Sequence, residues 1–244
     1  MLIKDKVVLV TGSSDRIGKA IALTLAQNGA YVVIHHHTNK SGAIRTAEEI
    51  EDLGLKTAVV QGDLSLKNDW QRIRTKILDN FDRIDVLVNN AAIFHKTPFF
   101  DAKVEDWDDF MNVNLKSVFL GCQVIGEWMY DNGSGKIINI SDIASETIWP
   151  NYIPYCVSKA GVIAITKGVA KALAPNVLVN CIAPGTLLLA NDHDKNLEES
   201  LINRTPLKRI GSPQDIANTV LFLIEGSDFI NGAVIKVDGG RSLT

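Results

Sequence analysis

Short runs of β-branched and leucine side chains alternate along this chain with longer segments whose apolar positions recur every three or four residues. The runs at 7–10, 31–36, 57–61, 84–88, 136–140, 177–182 and 233–237 are apolar at successive rather than alternate positions. That is the pattern of parallel strands buried on both faces. Between them, Ala20, Ile21, Ala22, Leu25 and Ala26 follow helical spacing, as do 41–54, 68–80, 104–130 and a segment entered at Pro154 and running through 161–174. Ser212-Pro213-Gln214-Asp215 opens a further helix to Ile224, with serine as cap, proline first and an acid third. Strand and helix therefore alternate throughout. The alternation predicts one α/β domain over 1–244, Rossmann-like and doubly wound, with a seven-stranded parallel sheet flanked by helices. Residues from about 186 to 204 are polar toward their middle and are expected to form a substrate lid.

Composition narrows the partners. With 244 residues, 46% hydrophobic and 22% charged, the chain has length for one large core. A net charge of −3, with basic residues scattered rather than in blocks, argues against nucleic acid. Cys122, Cys156 and Cys181 are odd in number and widely spaced, as expected of reduced thiols. The N-terminus enters a strand with no long apolar segment, and no stretch would span a bilayer, so a cytoplasmic protein without a membrane partner is expected.

The candidate chemistry lies where strands end. Thr11-Gly12-Ser13-Ser14-Asp15-Arg16-Ile17-Gly18 is a glycine turn opening the first helix, where backbone amides and the helix dipole face an anion. A tight turn without ligand would use the same glycines. The second strand ends in His35-His36-His37-Thr38-Asn39, with no acid for ribose hydroxyls. Three histidines in a row suggest a metal, but alternate strand residues face opposite ways, so no metal site is expected. Arg16 with His37, Thr38 and Asn39 suits a 2′-phosphate and hence NADPH over NADH, unless Arg16 is a solvated helix-start residue. After the third strand, Gly62-Asp63-Leu64 offers Asp63 either to an adenine amino group or to cap the next helix. Asn89 and Asn90, before Ala91, either knit strand ends together or floor the cofactor pocket, and Phe94 stands at its mouth. Asn114 either holds a water or bonds backbone. Ala183-Pro184-Gly185-Thr186 forms a rigid turn facing the nicotinamide, and Leu187 begins the lid. Asp192, His193 and Asp194 within it read as a solvated loop rather than a metal cluster.

The densest stretch runs from Asp142 to Lys159. In a helix after Pro154, Tyr155 and Lys159 lie on one face, and an ammonium beside a phenol lowers its proton affinity, which makes the pair a proton donor. Asp142 lies thirteen residues before the tyrosine and either serves this centre or caps the turn after the fifth strand. A one-residue slip would present Ser141 instead.

Taken together, Thr11-Gly12…Gly18, Asn89-Asn90-Ala91, Asn114, Tyr155…Lys159, Pro184-Gly185 and Asp238-Gly239-Gly240 resemble the short-chain dehydrogenase/reductases over the whole chain. The resemblance implies NAD(P)-dependent hydride transfer, with Tyr155 as proton donor, Lys159 lowering its pKa and holding the ribose, and Asn114 maintaining a relay water. It also implies a homotetramer. Arg16 stands where the family has its middle glycine, and Asp142 where it has its usual serine. Both departures look like the pteridine reductase branch, which includes dihydromonapterin reductases; there the arginine meets the cofactor phosphates and the aspartate joins tyrosine and lysine. Phe94 is then placed to sandwich a flat pterin against the nicotinamide, and Tyr152 matches a tyrosine of that branch. Ala92 and Thr38 depart from it. Reduction of a dihydropteridine through Tyr155 and Asp142 is therefore the expected activity. The alternatives are a general carbonyl reductase, such as one acting on 3-oxoacyl thioesters, and a catalytically silent NADP(H)-binding sensor.

Overall fold

The computed structural model describes residues 1–187 and 195–244. The lid residues 188–194, including Asn191, Asp192, His193 and Asp194, lie outside the described part. Seven parallel strands form one sheet in the order β3-β2-β1-β4-β5-β6-β7. They are β1 (Val7–Val10), β2 (Tyr31–His36), β3 (Thr57–Gln61), β4 (Val86–Asn89), β5 (Gly135–Ile140), β6 (Val177–Pro184) and β7 (Val234–Val237). Helices α1 (Arg16–Gln27), α2 (Lys40–Glu51) and α8 (Pro213–Glu225) cover one face through Ile21, Leu25, Ile50, Ile216 and Val220. Helices α3 (Lys67–Phe81), α5 (Ser117–Asp131) and α6 (Ile153–Ala172) cover the other through Trp70, Ile73, Ile125 and Val162. Along β1, Val8 and Val10 point into the first layer and Val7 and Leu9 into the second, which is why this strand carries no polar position. Each fully buried Val, Leu or Ile contributes about 1.5–3 kcal/mol relative to an exposed one.

One element departs from its expected form. The segment 104–130 is a short helix α4 (Val104–Phe110), a π-helical stretch Met111–Lys116 and then α5, rather than one continuous α-helix. The widened turn rotates Asn114 inward, where it is wholly buried. Its Oδ1 accepts from the Ile93 amide at 2.8 Å, and its Nδ2 donates to the Ile93 carbonyl at 3.0 Å and to Ser158 Oγ at 3.3 Å. Of the two fates open to Asn114, its side chain takes the backbone one. The start of α8 is as the residues dictate: Ser212 Oγ accepts from the Asp215 amide, and Asp215 Oδ2 accepts from the Ser212 amide at 2.8 Å. A short helix α7 (Lys195–Arg204) precedes it. Among the described residues no helix is long and apolar enough to cross a membrane, and no group of three or more His, Cys, Asp or Glu could hold a metal ion.

Candidate active site

In this strand order the chain leaves β1 toward β2 on one side and returns to β4 on the other, so a crevice opens beyond the carboxyl ends of β1 and β4. The glycine turn forms its wall. Gly12 has φ +62° and lies so near Ala91 that a Cβ would stand 3.0 Å from its Cα. A Cβ on Gly18 would collide with the Gly12 carbonyl and come within 2.6 Å of Asn90 Nδ2. Asn90 Nδ2 donates to the carbonyls of Thr11 and Gly12, so this amide knits the two strand ends together. Asp15, at the cap of α1, accepts no side-chain cap bond, which leaves the first-turn amides after Ser14, around Arg16 and Ile17, without a side-chain acceptor. The backbone of this turn thus fits a dinucleotide's phosphates. Arg16 is exposed in the left-handed region, at φ +50°, and makes no ion pair among the described residues.

The corner beyond β2 is only partly as expected. His37 and Thr38 are exposed, but Asn39 is not a free donor. Its Oδ1 caps α2 by accepting from the Gly42 amide at 3.0 Å, and its Nδ2 donates to Asp15 Oδ2 at 3.1 Å. Asp63 closes a local turn rather than capping α3, which starts after Leu66 with no side-chain cap: Oδ1 accepts from the Ser65 amide and hydroxyl at 2.9 and 2.7 Å, with Leu64 buried beside it. His35, which the sequence showed as one of three successive histidines unable to converge on a metal, sits between these walls. The His35 ring accepts the Gly12 amide on Nδ1 at 3.1 Å and lies 3.1 Å from the Gly62 carbonyl through Nε2. Its only signal in the sequence was a polar residue at a buried strand position.

Around the end of β5 the structure chooses Asp142 over Ser141. Ser141 is buried and donates through Oγ to the Lys159 carbonyl at 2.8 Å, away from the crevice. Asp142 Oδ1 accepts from the Ala144 amide at 2.8 Å, and Oδ2 accepts from the Tyr155 hydroxyl at 2.8 Å. It therefore caps its turn and meets the tyrosine at once. Lys159, also buried, donates to the Ile140 carbonyl at 2.9 Å, with Nζ 5.8 Å from the centre of the Tyr155 ring. This geometry reverses the expected direction for the tyrosine. Burial first, and then the Asp142 charge and hydrogen bond, hold Tyr155 well above the ordinary phenol value. Burial also pushes the Asp142 carboxyl up, against the opposing pull of the Ala144 amide, the Tyr155 hydroxyl and Lys159. Burial lowers Lys159.

Aromatic rings enclose this centre. Phe94 lies parallel to Tyr152, with centroids 4.9 Å apart, and edge-on to Tyr155 at 4.8 Å; Trp149 stacks beside Tyr155 at 6.5 Å. Phe94 thus covers Tyr152 directly. Pro184 ends β6, the Gly185 amide donates to the Val237 carbonyl at 3.0 Å, and the Thr186 carbonyl accepts from Gly211 at 3.0 Å, which holds this turn beside the crevice. Leu187 is buried.

Residues 12–242 match the protein family described as enoyl-(acyl carrier protein) reductase. A 3-oxoacyl-[acyl-carrier-protein] reductase of Synechocystis sp. is 39% identical over 239 residues, 96% of each chain. One from Thermotoga maritima is 36% identical over 98% of this chain and 99% of the relative. Among solved structures, a putative gluconate dehydrogenase from Agrobacterium tumefaciens superimposes with TM-score 0.94 at 31% identity, covering 100% of this chain and 99% of that one. A gluconate 5-dehydrogenase from Burkholderia cenocepacia, solved in complex with NADP and tartrate, does so with TM-score 0.93 at 32% identity, covering 100% and 98%. The expected pteridine reductase activity is overturned by these relatives, whose names over nearly the full length are those of 3-oxoacyl reductases. Arg16 and Asp142 are two point departures, and similarity along the rest of the chain outweighs them.

Proposed function

The chain belongs to the short-chain dehydrogenase/reductase family, and on that premise we propose that it is an NADPH-dependent carbonyl reductase whose substrates are 3-oxoacyl thioesters. NADPH, when bound, supplies the hydride that turns the keto carbon into a secondary alcohol. Tyr155 gives its proton to the keto oxygen; its burial keeps the phenol protonated until substrate arrives. Asp142, as a carboxylic acid, returns a proton to Tyr155 across their 2.8 Å contact and is left as carboxylate for solvent to reprotonate. The buried Lys159 charge stabilises phenolate formed on the way. An acid at position 142 thereby replaces a serine hydroxyl without loss of a donor, as long as it carries its proton. The observation that carries this reading is the Tyr155–Asp142 hydrogen bond beside Lys159 at the mouth of the crevice. Exposed Arg16 and His37, with no carboxylate at the end of β2, support the 2′-phosphate preference.

The test is NADPH oxidation by the purified protein against an acetoacetyl thioester, a ketogluconate and a dihydropteridine. Turnover is expected with the thioester; turnover confined to either of the other two rejects the substrate assignment. NADH used as well as NADPH rejects the cofactor assignment. The reading extends to self-association in solution, supported by Phe119 and Val157 standing exposed on α5 and α6, and a monomer in sedimentation would dismiss it.

A further inference from the structure

The His35 imidazole stands between the two walls of the crevice that would hold the adenosine half of a dinucleotide. One wall is the glycine turn, reached through the Gly12 amide on Nδ1; the other is the end of β3, reached at the Gly62 carbonyl from Nε2. A carbonyl can only accept and an amide can only donate, so the ring must be neutral with its proton on Nε2. The same residue is pinned by its backbone: its amide donates to Ser13 Oγ at 3.1 Å, and its carbonyl accepts from the Ser13 amide at 3.0 Å. Gly62 precedes Asp63 and Leu64, and the Asp63 amide is held in turn by Asp69 Oδ2 at 2.7 Å. We infer that His35 is a positioning residue for dinucleotide binding, a neutral strut that sets the distance between the phosphate-facing turn and the Gly62–Leu64 corner. Neither contact can be supplied by an apolar side chain, and a second proton on the ring would set an N–H against the Gly12 N–H. Among the described residues, titratable groups acting on the ring are His36 at the end of β2, His37 just beyond it and Asp69 from α3. Burial holds the ring's pKa down to about 4, so the strut stays neutral through the ordinary pH range.

This inference rests on the dinucleotide reading of the crevice, and the test separates the two. The probe is NADP⁺, which tolerates acid, titrated into the full chain. His35→Leu fills the space without hydrogen bonds and is expected to weaken NADP⁺ binding about tenfold, with kcat at saturating NADPH within about twofold of the parent. His35→Asn, which puts an amide oxygen where Nδ1 stands but reaches no further, should recover only the part of that affinity that the Gly12 contact supplies, and full recovery would overturn the bridging role. In the unaltered protein, the nitrogen NMR shifts of His35 should report an Nε2–H tautomer, and NADP⁺ affinity should fall as the ring protonates below about pH 5, a fall absent in His35→Asn. Unchanged NADP⁺ affinity in His35→Leu overturns the inference even if thermal stability drops, because that outcome describes packing alone. A proton found on Nδ1, or affinity that stays constant through the ring's titration, overturns it without any variant. No NADP⁺ binding by the parent protein overturns the reading of the crevice and the inference with it.

Discussion

Asp142 and Ser141 are neighbours at one strand end, and the pleat decides which of them meets Tyr155. Since Ser141 bonds the Lys159 carbonyl inside the β5–α6 contact, Ser141→Ala should cost about 1 kcal/mol of stability and leave turnover nearly intact. Asp142→Ala should lower kcat with the thioester about 10²-fold or more while leaving NADP⁺ affinity unchanged. The acid form is the working form, and burial raises the pKa of this carboxyl. Reduction should therefore slow as pH rises through that value, and Asp142→Ser should remove this limb of the pH–rate profile; a limb that survives in Asp142→Ser assigns it elsewhere. Arg16 offers a second test at this scale. A non-glycine residue in the left-handed region costs about 1–2 kcal/mol, so Arg16→Gly should raise Tm by a few degrees. The same change should erode the preference for NADPH over NADH, measured as the ratio of kcat/KM values. A gain in stability without a change in that ratio would mean that Arg16 does not read the 2′-phosphate.

At the scale of elements, the π-helical turn couples a helix to the loop above the site. Asn114 satisfies both backbone groups of Ile93, the residue before Phe94, so its position governs the aromatic cover of Tyr155. Asn114→Leu, close to it in size, would leave an amide and a carbonyl without partners and should cost about 2–4 kcal/mol in urea unfolding, with kcat falling as well. Periodicity could not foresee the turn, because one extra residue in a helix leaves the apolar pattern on either side intact. Asn39 and Asp63 teach a related lesson. Both stand where a ligand contact was expected, and Asn39 has its amide in use already while Asp63 closes a local turn. A short polar side chain next to a helix start satisfies the backbone first, since those amides have no other acceptor.

For the whole molecule, His35 links the fold to acid. Its pKa is about 4 in the native protein against 6.5 unperturbed, so in the interval between them the unfolded chain binds a proton that the native protein refuses. Stability is then complete above pH 6.5 and is lost as pH falls toward 4, by about 3 kcal/mol. Asp215, which Arg209 holds down to about 2, contributes its own loss only below the ordinary carboxylate value of 3.8, and Asp142, with a raised pKa, acts in the opposite sense. Urea unfolding at pH 6.5, 5 and 4 should therefore show a slope that His35→Asn flattens. A slope identical in that variant would place the acid sensitivity in other groups.

The residues by themselves determined the alternation of strand and helix, the doubly parallel burial of β1, the crevice at the sheet's carboxyl edge and the pairing of Tyr155 with Lys159, because each follows from local spacing and from which side chains can leave water. Tertiary structure decided what depends on a third partner. Tyr155 gains rather than loses proton affinity because the fold buries it and because Asp142, and not Lys159, touches its hydroxyl. Asn90 ties strands because β1 lies beside β4, and His35 bridges the turn at Gly12, 23 residues before it, and the one at Gly62, 27 residues after it. Such contacts join positions whose spacing in the chain carries no period, so they become visible only when the sheet has brought the strand ends together.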